Sequence, residues 1–527
     1  MTIHLSIVLW LPAVAGVLAL AARRFAGWVT LAGSLLAFAY SVVLLIDFNA
    51  SSGSLQYVTD EAWIEQLGIH YKLGVDGLNL ALIVLTTFGF TACTLWAALE
   101  RDVARTPQFF FWMGLAHSAV LGALFAQDLI LFVLFFDLML VPFFFLTLIW
   151  GPTPRPDRVR AILKLFIYTL VGSLLMLAGA IATGVLSLPN EATTFVLSDL
   201  ERIAMDEGSQ RWIFLCFAAA FLVKMPAFPV HGWMPDGYRN MPLPVLAVFS
   251  AVLSKVAAYG FLRVVMPLFP DAAAEFQMLA LLIALASILY GSAMAFTTTE
   301  TRLILGYSSV AQLGFITLGV FALDDAGDGA QGAILQSVNH GLVVLPAFFI
   351  VGLLAARAGS EDLRDMGGVA FRAPVLAGLF LIVALATLAM PGSANFVGEF
   401  MILFGVFDVK IVIAIVAFTG VVLASVYMLR MFIRSMHDRV GPSVDSRDIR
   451  VRDGLVLVPL VAAILFLALY PQLPLEKGEQ TIPSRVQSAR QVLAGEEIAV
   501  DPREAAAEAA EAEEEAERAR EGEGREP

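Results

Sequence analysis

Residues 212–265 read WIFLCFAAAFLVKMPAFPVHGWMPDGYRNMPLPVLAVFSAVLSKVAAYGFLRVV. Two apolar segments in this stretch are long enough to cross a bilayer, and each carries one lysine, Lys224 and Lys255. The first segment breaks at Pro226 and Pro229, just past its lysine. A lysine at the bilayer centre costs roughly 2.5–3.5 kcal/mol on insertion scales. A helix break at that depth strips backbone groups of their partners, so it survives only inside protein or beside a wet cavity. Both features in one stretch point to an ion path through a helical membrane protein. The plainer alternative is that both lysines are helix locks, each paired with a carboxylate.

The whole chain fits that class. It has 527 residues, of which 59% are hydrophobic and only 15% charged, with a mean hydropathy of +0.80. Soluble domains carry about 25% charged residues. Long apolar runs without alternation exclude a β-barrel, leaving an all-α polytopic membrane protein. Further spans are expected at 28–48, 77–99, 107–127, 128–150, 161–186, 211–232, 244–266, 276–297, 301–322, 329–355, 375–405, 409–433 and 454–471. With Ile3–Ala22 they make about 14 transmembrane helices. Ile3–Ala22 has its basic pair, Arg23 and Arg24, behind it rather than in front, as a retained helix does and a signal peptide does not.

Charge sets the orientation. The odd-numbered loops collect nineteen Lys and Arg, including Arg101, Arg105, Arg155, Arg239, Arg302 and Arg357, against five in the even-numbered loops (Lys72, Arg202, Arg211, Arg263 and Lys410). The positive-inside rule then places both termini on the outer side. Most of the net charge of −13 comes from residues 496–527, an Ala/Glu-rich stretch with thirteen acids and four bases. It reads as a solvated acidic tail. Cys93 and Cys216 lie in apolar segments and form no disulfide framework, zinc site or iron–sulfur set. Gly327-Asp328-Gly329-Ala330-Gln331-Gly332 fits the dinucleotide fingerprint, but it joins two membrane helices where the motif needs a preceding strand. No metal site, no cofactor site and no nucleic-acid partner is expected on this chain.

Ionisable residues inside apolar runs are functional candidates by default. Here they are Asp137, Lys224, Lys255, His340 and Glu399, with His117 and His231 as weaker ones. At an effective dielectric near 20, a charge pair about 4 Å apart interacts by about 4 kcal/mol. Moving an elementary charge against 100 mV takes about 2.3 kcal/mol, so shifting a carboxylate beside a lysine is enough to load and unload it. Asp137 is the expected modulator of Lys224, Lys255 and His340 the sideways carriers, and Glu399 the exit group. A buried histidine with a local hydrogen bond explains His117 and His231 equally well. Asp76, Asp128 and Asp408 lie near helix ends, where capping or interfacial solvation suffices. LAMPGSANF at 388–396 interrupts a second helix, and paired interruptions in two halves point to an internally repeated transporter.

VKMPAFPVHGWMPD (223–236), SKVAAYGFLR (254–263), LILGYSSVAQLGF (303–315) and NFVGEFMILFG (395–405) together resemble the antiporter-like membrane subunits of proton-pumping NADH:quinone oxidoreductase, respiratory complex I. The likeness spans roughly residues 70–440. Glu399 in G-E-F resembles the M-type branch, whereas other relatives usually place a lysine in this interrupted helix. The resemblance implies two inverted five-helix repeats with interrupted helices, one proton channel, and key residues at Asp137, Lys224, Lys255, His340 and Glu399. It divides the chain into N-terminal helices (1–106), a first repeat (107–270), a second (271–440), a last helix (441–475) and the tail (476–527). It also implies L- and N-type neighbour subunits and lipids as partners, a bacterial plasma membrane location, and NADH, flavin, iron–sulfur clusters and quinone held by partner subunits. A sodium/proton antiporter subunit is the rival reading, and a membrane scaffold a further one. The sequence departs from the family pattern twice, with Asp137 for a glutamate and Gln312 for a histidine.

Overall fold

The structure is a computed structural model and describes residues 4–100, 106–186, 193–203, 205–441, 444–445 and 447–496. Arg101, Arg105, part of the 187–210 loop and the acidic stretch from 497 lie outside the described residues.

Eleven helical stretches among the described residues are long and apolar enough to cross a membrane. The first of them, Leu5–Asp47, is two helices, α1 (Leu5–Ala22) and α2 (Ala26–Asp47), hinged by a 3-10 turn at Arg23–Phe25. There follow α3 (Leu80–Leu99), α4 (Pro107–Phe125), α5 (Leu129–Leu138), α6 (Leu140–Trp150), α7 (Arg155–Leu186), α8 (Glu207–Lys224) and α9 (Met234–Asn240). The second half contains α10 (Leu243–Leu268), α11 (Gln277–Thr297), α12 (Thr301–Val320), α13 (Asp328–Ala358), α14 (Pro374–Thr387), α15 (Ala394–Val409), α16 (Ile411–Met436) and α17 (Val451–Leu469). Counting α1 and α2 apart and adding the broken segments α8–α9 and α14–α15 is consistent with fourteen crossings.

α10 and α12 are buried along their whole apolar windows and form the centre of the bundle. The peripheral α7 shows why outer helices stay apolar all round. Its outward residues Ile167, Val171 and Leu174 are exposed, as lipid permits. Its inward face carries Gly172 and Gly179, whose missing side chains let α8 approach until a Cβ on Gly172 would lie 3.0 Å from the Ala220 backbone. Small residues at such contacts replace the hydrophobic driving force that lipid removes.

Three features correct the sequence reading. Residues 49–76, left between two expected spans, hold a strand pair: β1 (Gln56–Ile64) and β2 (Ile69–Val75) pair antiparallel. Tyr57, Val58, Thr59, Trp63, Ile69 and Tyr71 supply the β-branched and aromatic content of a strand pair, and Gly68 takes the left-handed turn conformation at φ 63°. The stretch assigned to the tail from 476 begins as structure, because α18 (Ile482–Ala494) docks by Arg485 to Glu201 at 2.7 Å and by Arg490 to Asp325 at 2.7 Å. Arg263, counted among the loop cations, is fully enclosed in α10. Its guanidinium meets Asp76 at 2.6 Å with side-chain exposures of 1% and 0%. Asp76 does accept from Leu78 N at 3.1 Å, as an end-of-helix group would, but it is no interfacial residue. Asp128 behaves as expected and caps α5 by accepting from Leu131 N at 3.0 Å.

Candidate ion-conducting site

Lys224 and Lys255 lie at local departures from regular helix and Asp137 lies close to one, whereas His340 and Glu399 lie within α13 and α15. α8 ends on Lys224, and the chain turns through a cis Phe228–Pro229 bond before resuming at Met234. Prolines at 226 and 229 cannot donate helix hydrogen bonds, so the last carbonyls of α8 need other partners. Trp233 Nε1 donates to Val223 O at 2.9 Å, and the Phe228 amide is taken up by Ser287 Oγ at 2.9 Å.

A one-residue irregularity at Met139 between α5 and α6, three residues before Pro142, receives the Lys224 ammonium. Phe136 lies in the last turn of α5, where carbonyls have no intrahelical partner, and Lys224 Nζ donates to Phe136 O at 2.5 Å. The same ammonium stands 3.8 Å from the Phe136 ring centroid, a contact worth about 2 kcal/mol or more when desolvated. Asp137, the next residue, is close enough for its charge to act on Lys224, yet no ion pair joins them. Its carboxylate instead accepts from Ser173 Oγ of α7. The shorter carboxylate therefore acts on Lys224 at a distance, while the carbonyl before it makes the contact. Asp137→Asn should lower the number of protons pumped per NADH oxidised, and Asp137→Glu should preserve it. Both are read in inverted membrane vesicles, and an inactive Glu variant would show that the shorter side chain is required.

Lys255 is 1% exposed and lies in α10 between two π-helical segments, Phe249–Leu253 and Phe261–Val265. A π turn loosens the hydrogen-bond ladder and is frequent at functional sites. Here Lys255 Nζ donates to Ser250 O, 2.7 Å away. His340 of α13 is within electrostatic reach of Lys255, so the two expected carriers are neighbours. Phe132, Phe136, Phe221 and Phe261 pack against one another, with ring centroids 5.1–5.6 Å apart for successive pairs of Phe132–Phe136, Phe136–Phe221 and Phe221–Phe261. This aromatic cluster extends from the Lys224 contact to α10.

The second interrupted helix stops at Thr387, passes through Ala389 at φ 52° and Gly392 at φ 90°, and restarts as α15. Asn339 Nδ2 satisfies Ala394 O at 2.7 Å. Glu399, 2% exposed, accepts from Gln336 Nε2 at 3.2 Å, and that amide also donates to Gln312 Oε1 at 2.7 Å. Gln312, which replaces a titratable histidine of the family pattern, thus belongs to an amide bridge leading to Glu399. Gln336 was missed by the sequence reading, although it lies one turn before His340 on the same face of α13. His340 Nδ1 and both polar atoms of Asn395 have no hydrogen-bond partner among the described residues. Buried polar atoms of this kind are where an internal water makes its bonds, and water is what lets a proton pass a glutamine.

The weaker histidines are set apart from this line. His117 stacks on Phe90 with centroids 4.6 Å apart and touches Ser34 at 3.4 Å. His231 stacks on Phe228 and packs at a tilt against Tyr290 beside the first break.

A helical membrane protein whose buried ionisable groups are held at helix breaks, and bridged by amides, belongs to the class of ion-translocating membrane subunits. More narrowly, the chain belongs to the family described as NADH:quinone oxidoreductase/Mrp antiporter, transmembrane, whose model matches residues 126–424. It is 34% identical over 487 residues to NADH-quinone oxidoreductase subunit M of Rhodobacter capsulatus, covering 89% of this chain and 93% of that one. To subunit M of Escherichia coli K12 it is 35% identical over 494 residues, covering 90% and 95%. Its fold matches a chain of the respiratory complex I from Thermus thermophilus with bound NADH, with a TM-score of 0.84, 28% identity, and coverage of 93% and 100%. A chain of the Mrp complex from Dietzia sp. shares the fold at TM-score 0.79 and 22% identity, covering 94% and 100%.

Proposed function

We propose that this chain is the M-type, proton-translocating membrane subunit of a respiratory complex I. The observation that carries the reading is that four of the five ionisable candidates lie at or beside a helix break, a π segment or an amide bridge, with His340 close to Lys255, in a chain of this family. Asp137 modulates Lys224; Lys255 and His340 carry the proton laterally; Glu399, held by Gln336, releases it. NADH oxidation and quinone reduction take place on partner subunits, which hold the flavin, iron–sulfur clusters and quinone. Their energy reaches this chain as changes of charge and hydration along its ionisable line. L- and N-type subunits flank it in a bacterial plasma membrane. The channel is divided between an N-terminal repeat (107–270) and a C-terminal one (271–440), preceded by helices in 1–106 and followed by the helix in 441–475.

The direct test is to purify the complex containing this chain and measure NADH:quinone activity and proton uptake after reconstitution. Electron transfer without any contribution from this chain to pumping would sink the proposal. Topology gives an independent check. Both termini face outward in this reading, so alkaline phosphatase fused at the C-terminus should be active and a fused green fluorescent protein dark. The opposite pattern would overturn the orientation.

A further inference from the structure

A cavity of about 560 Å³ lies between α2, α3, α13 and α17, on the opposite side of α13 from the ionisable line. Its walls are apolar, with Leu45, Phe88, Leu342, Ala463 and Phe466 among them, and its one charged lining residue is Lys477. Phe466, 53% exposed, marks its lipid-facing rim. Lys477 follows the last membrane helix and donates to Phe48 O at 2.7 Å, at the outer end of α2. An ammonium has three donors, so this bond leaves others free to bind an anion. The cavity thus has an apolar body inside the membrane and a cation at the membrane boundary.

The size restricts the occupant. The volume is that of a small-ligand site. We infer that this cleft seats an acyl chain of one membrane phospholipid, whose phosphate lies on Lys477. The back wall makes the site matter. Val338 and Leu342 line the cleft one turn apart on α13, while Gln336 and His340 lie one turn apart on the side that bears the buried polar groups. A position two residues along a helix is turned by about 200°, so α13 alone separates the lipid from His340. A seated chain keeps water out of the space behind that wall.

The test uses the assembled complex, exposed to phosphatidylglycerol vesicles that carry a photoactivatable diazirine in the acyl chain, with the labelled peptides then mapped. Label should appear in segments 338–342 and 459–467. Ala463→Trp, which fills the cleft, should abolish it. Lys477→Gln retains a donor for Phe48 O but removes the charge, and should weaken labelling about fivefold. Added inorganic phosphate should leave the label in place. The inference is overturned if Ala463→Trp assembles and labels like the parent, or if the Lys477→Gln complex labels undiminished. It is equally overturned if phosphate alone displaces the lipid, or if a segment of another subunit is crosslinked in the cleft. None of these readouts depends on proton pumping, so they stand apart from the proposed function.

Discussion

Lys224→Ala is expected to leave an assembled complex that oxidises NADH but loses the whole share of protons carried by this subunit. The alanine removes the charge that answers Asp137 and leaves Phe136 O without its 2.5 Å donor. Truncating one hydrogen-bonded partner costs about 1–3 kcal/mol at such a site, a loss that a bundle of this size absorbs. Losing the titratable group removes a proton carrier outright. Glu399→Gln tests the other end, because glutamine keeps the shape and the contact with Gln336 but cannot accept a proton. Protons pumped per NADH, measured in reconstituted vesicles, should fall in both variants without loss of subunit content. Full pumping with both changes in place would refute the channel. If Lys224→Ala fails to assemble, the lysine is a helix lock, as the plainer reading of the sequence had it.

Asp76→Asn should be the most damaging change outside the membrane. The pair with Arg263 is sealed from solvent at 2.6 Å, and Arg485 approaches the other carboxylate oxygen at 3.6 Å. Removing one partner of a buried pair costs about 3–5 kcal/mol, because the remaining charge has no water to turn to. The expected readout is a large drop in the thermal transition of the purified complex and in the amount of this subunit in the membrane. An unchanged transition would mean that water reaches Arg263. The pH dependence has a definite sign. Burial alone would raise the Asp76 pKa, but the charges of Arg263 and Arg485 override it and hold the carboxyl below its usual value. A depressed folded-state pKa contributes stability that is present above the unfolded-state value. That stability is lost as pH falls through the folded-state one. This clamp should therefore hold across the neutral range and fail only in acid.

Composition made the bundle legible, and prolines revealed two of its interruptions. The five ionisable candidates stood out because each is out of place in an apolar run. What escaped the sequence was what depends on distance or on backbone detail. Asp76 and Arg263 are 187 positions apart, and each alone looks like an ordinary group at a membrane boundary. The irregularity at Met139 is marked by Pro142 three residues on, but its effect is borne by the Phe136 carbonyl, which any residue could supply. Gln336 was hidden by its neutrality: an amide attracts no notice until a carboxylate is found against it. The strand pair at 56–75 was overshadowed by its acidic and polar composition, although its aromatic and β-branched residues were in view.

The two π segments of α10 have a consequence for comparing related chains. Each five-residue segment accommodates a turn wider than the 3.6 residues of a regular α-helix. Dropping a single residue from 249–253 would let that turn close into ordinary α-helix with everything downstream keeping nearly the same face, because the wider turn absorbs one extra residue. In an alignment such a change is one gap in an apolar run, where gaps attract little attention. Keeping all five residues but winding them as ordinary α-helix would instead carry the Lys255 ammonium about 100° around the axis with its identity intact. The position of this lysine is thus fixed by counting as much as by chemistry, and a relative that keeps the letter has not thereby kept the site.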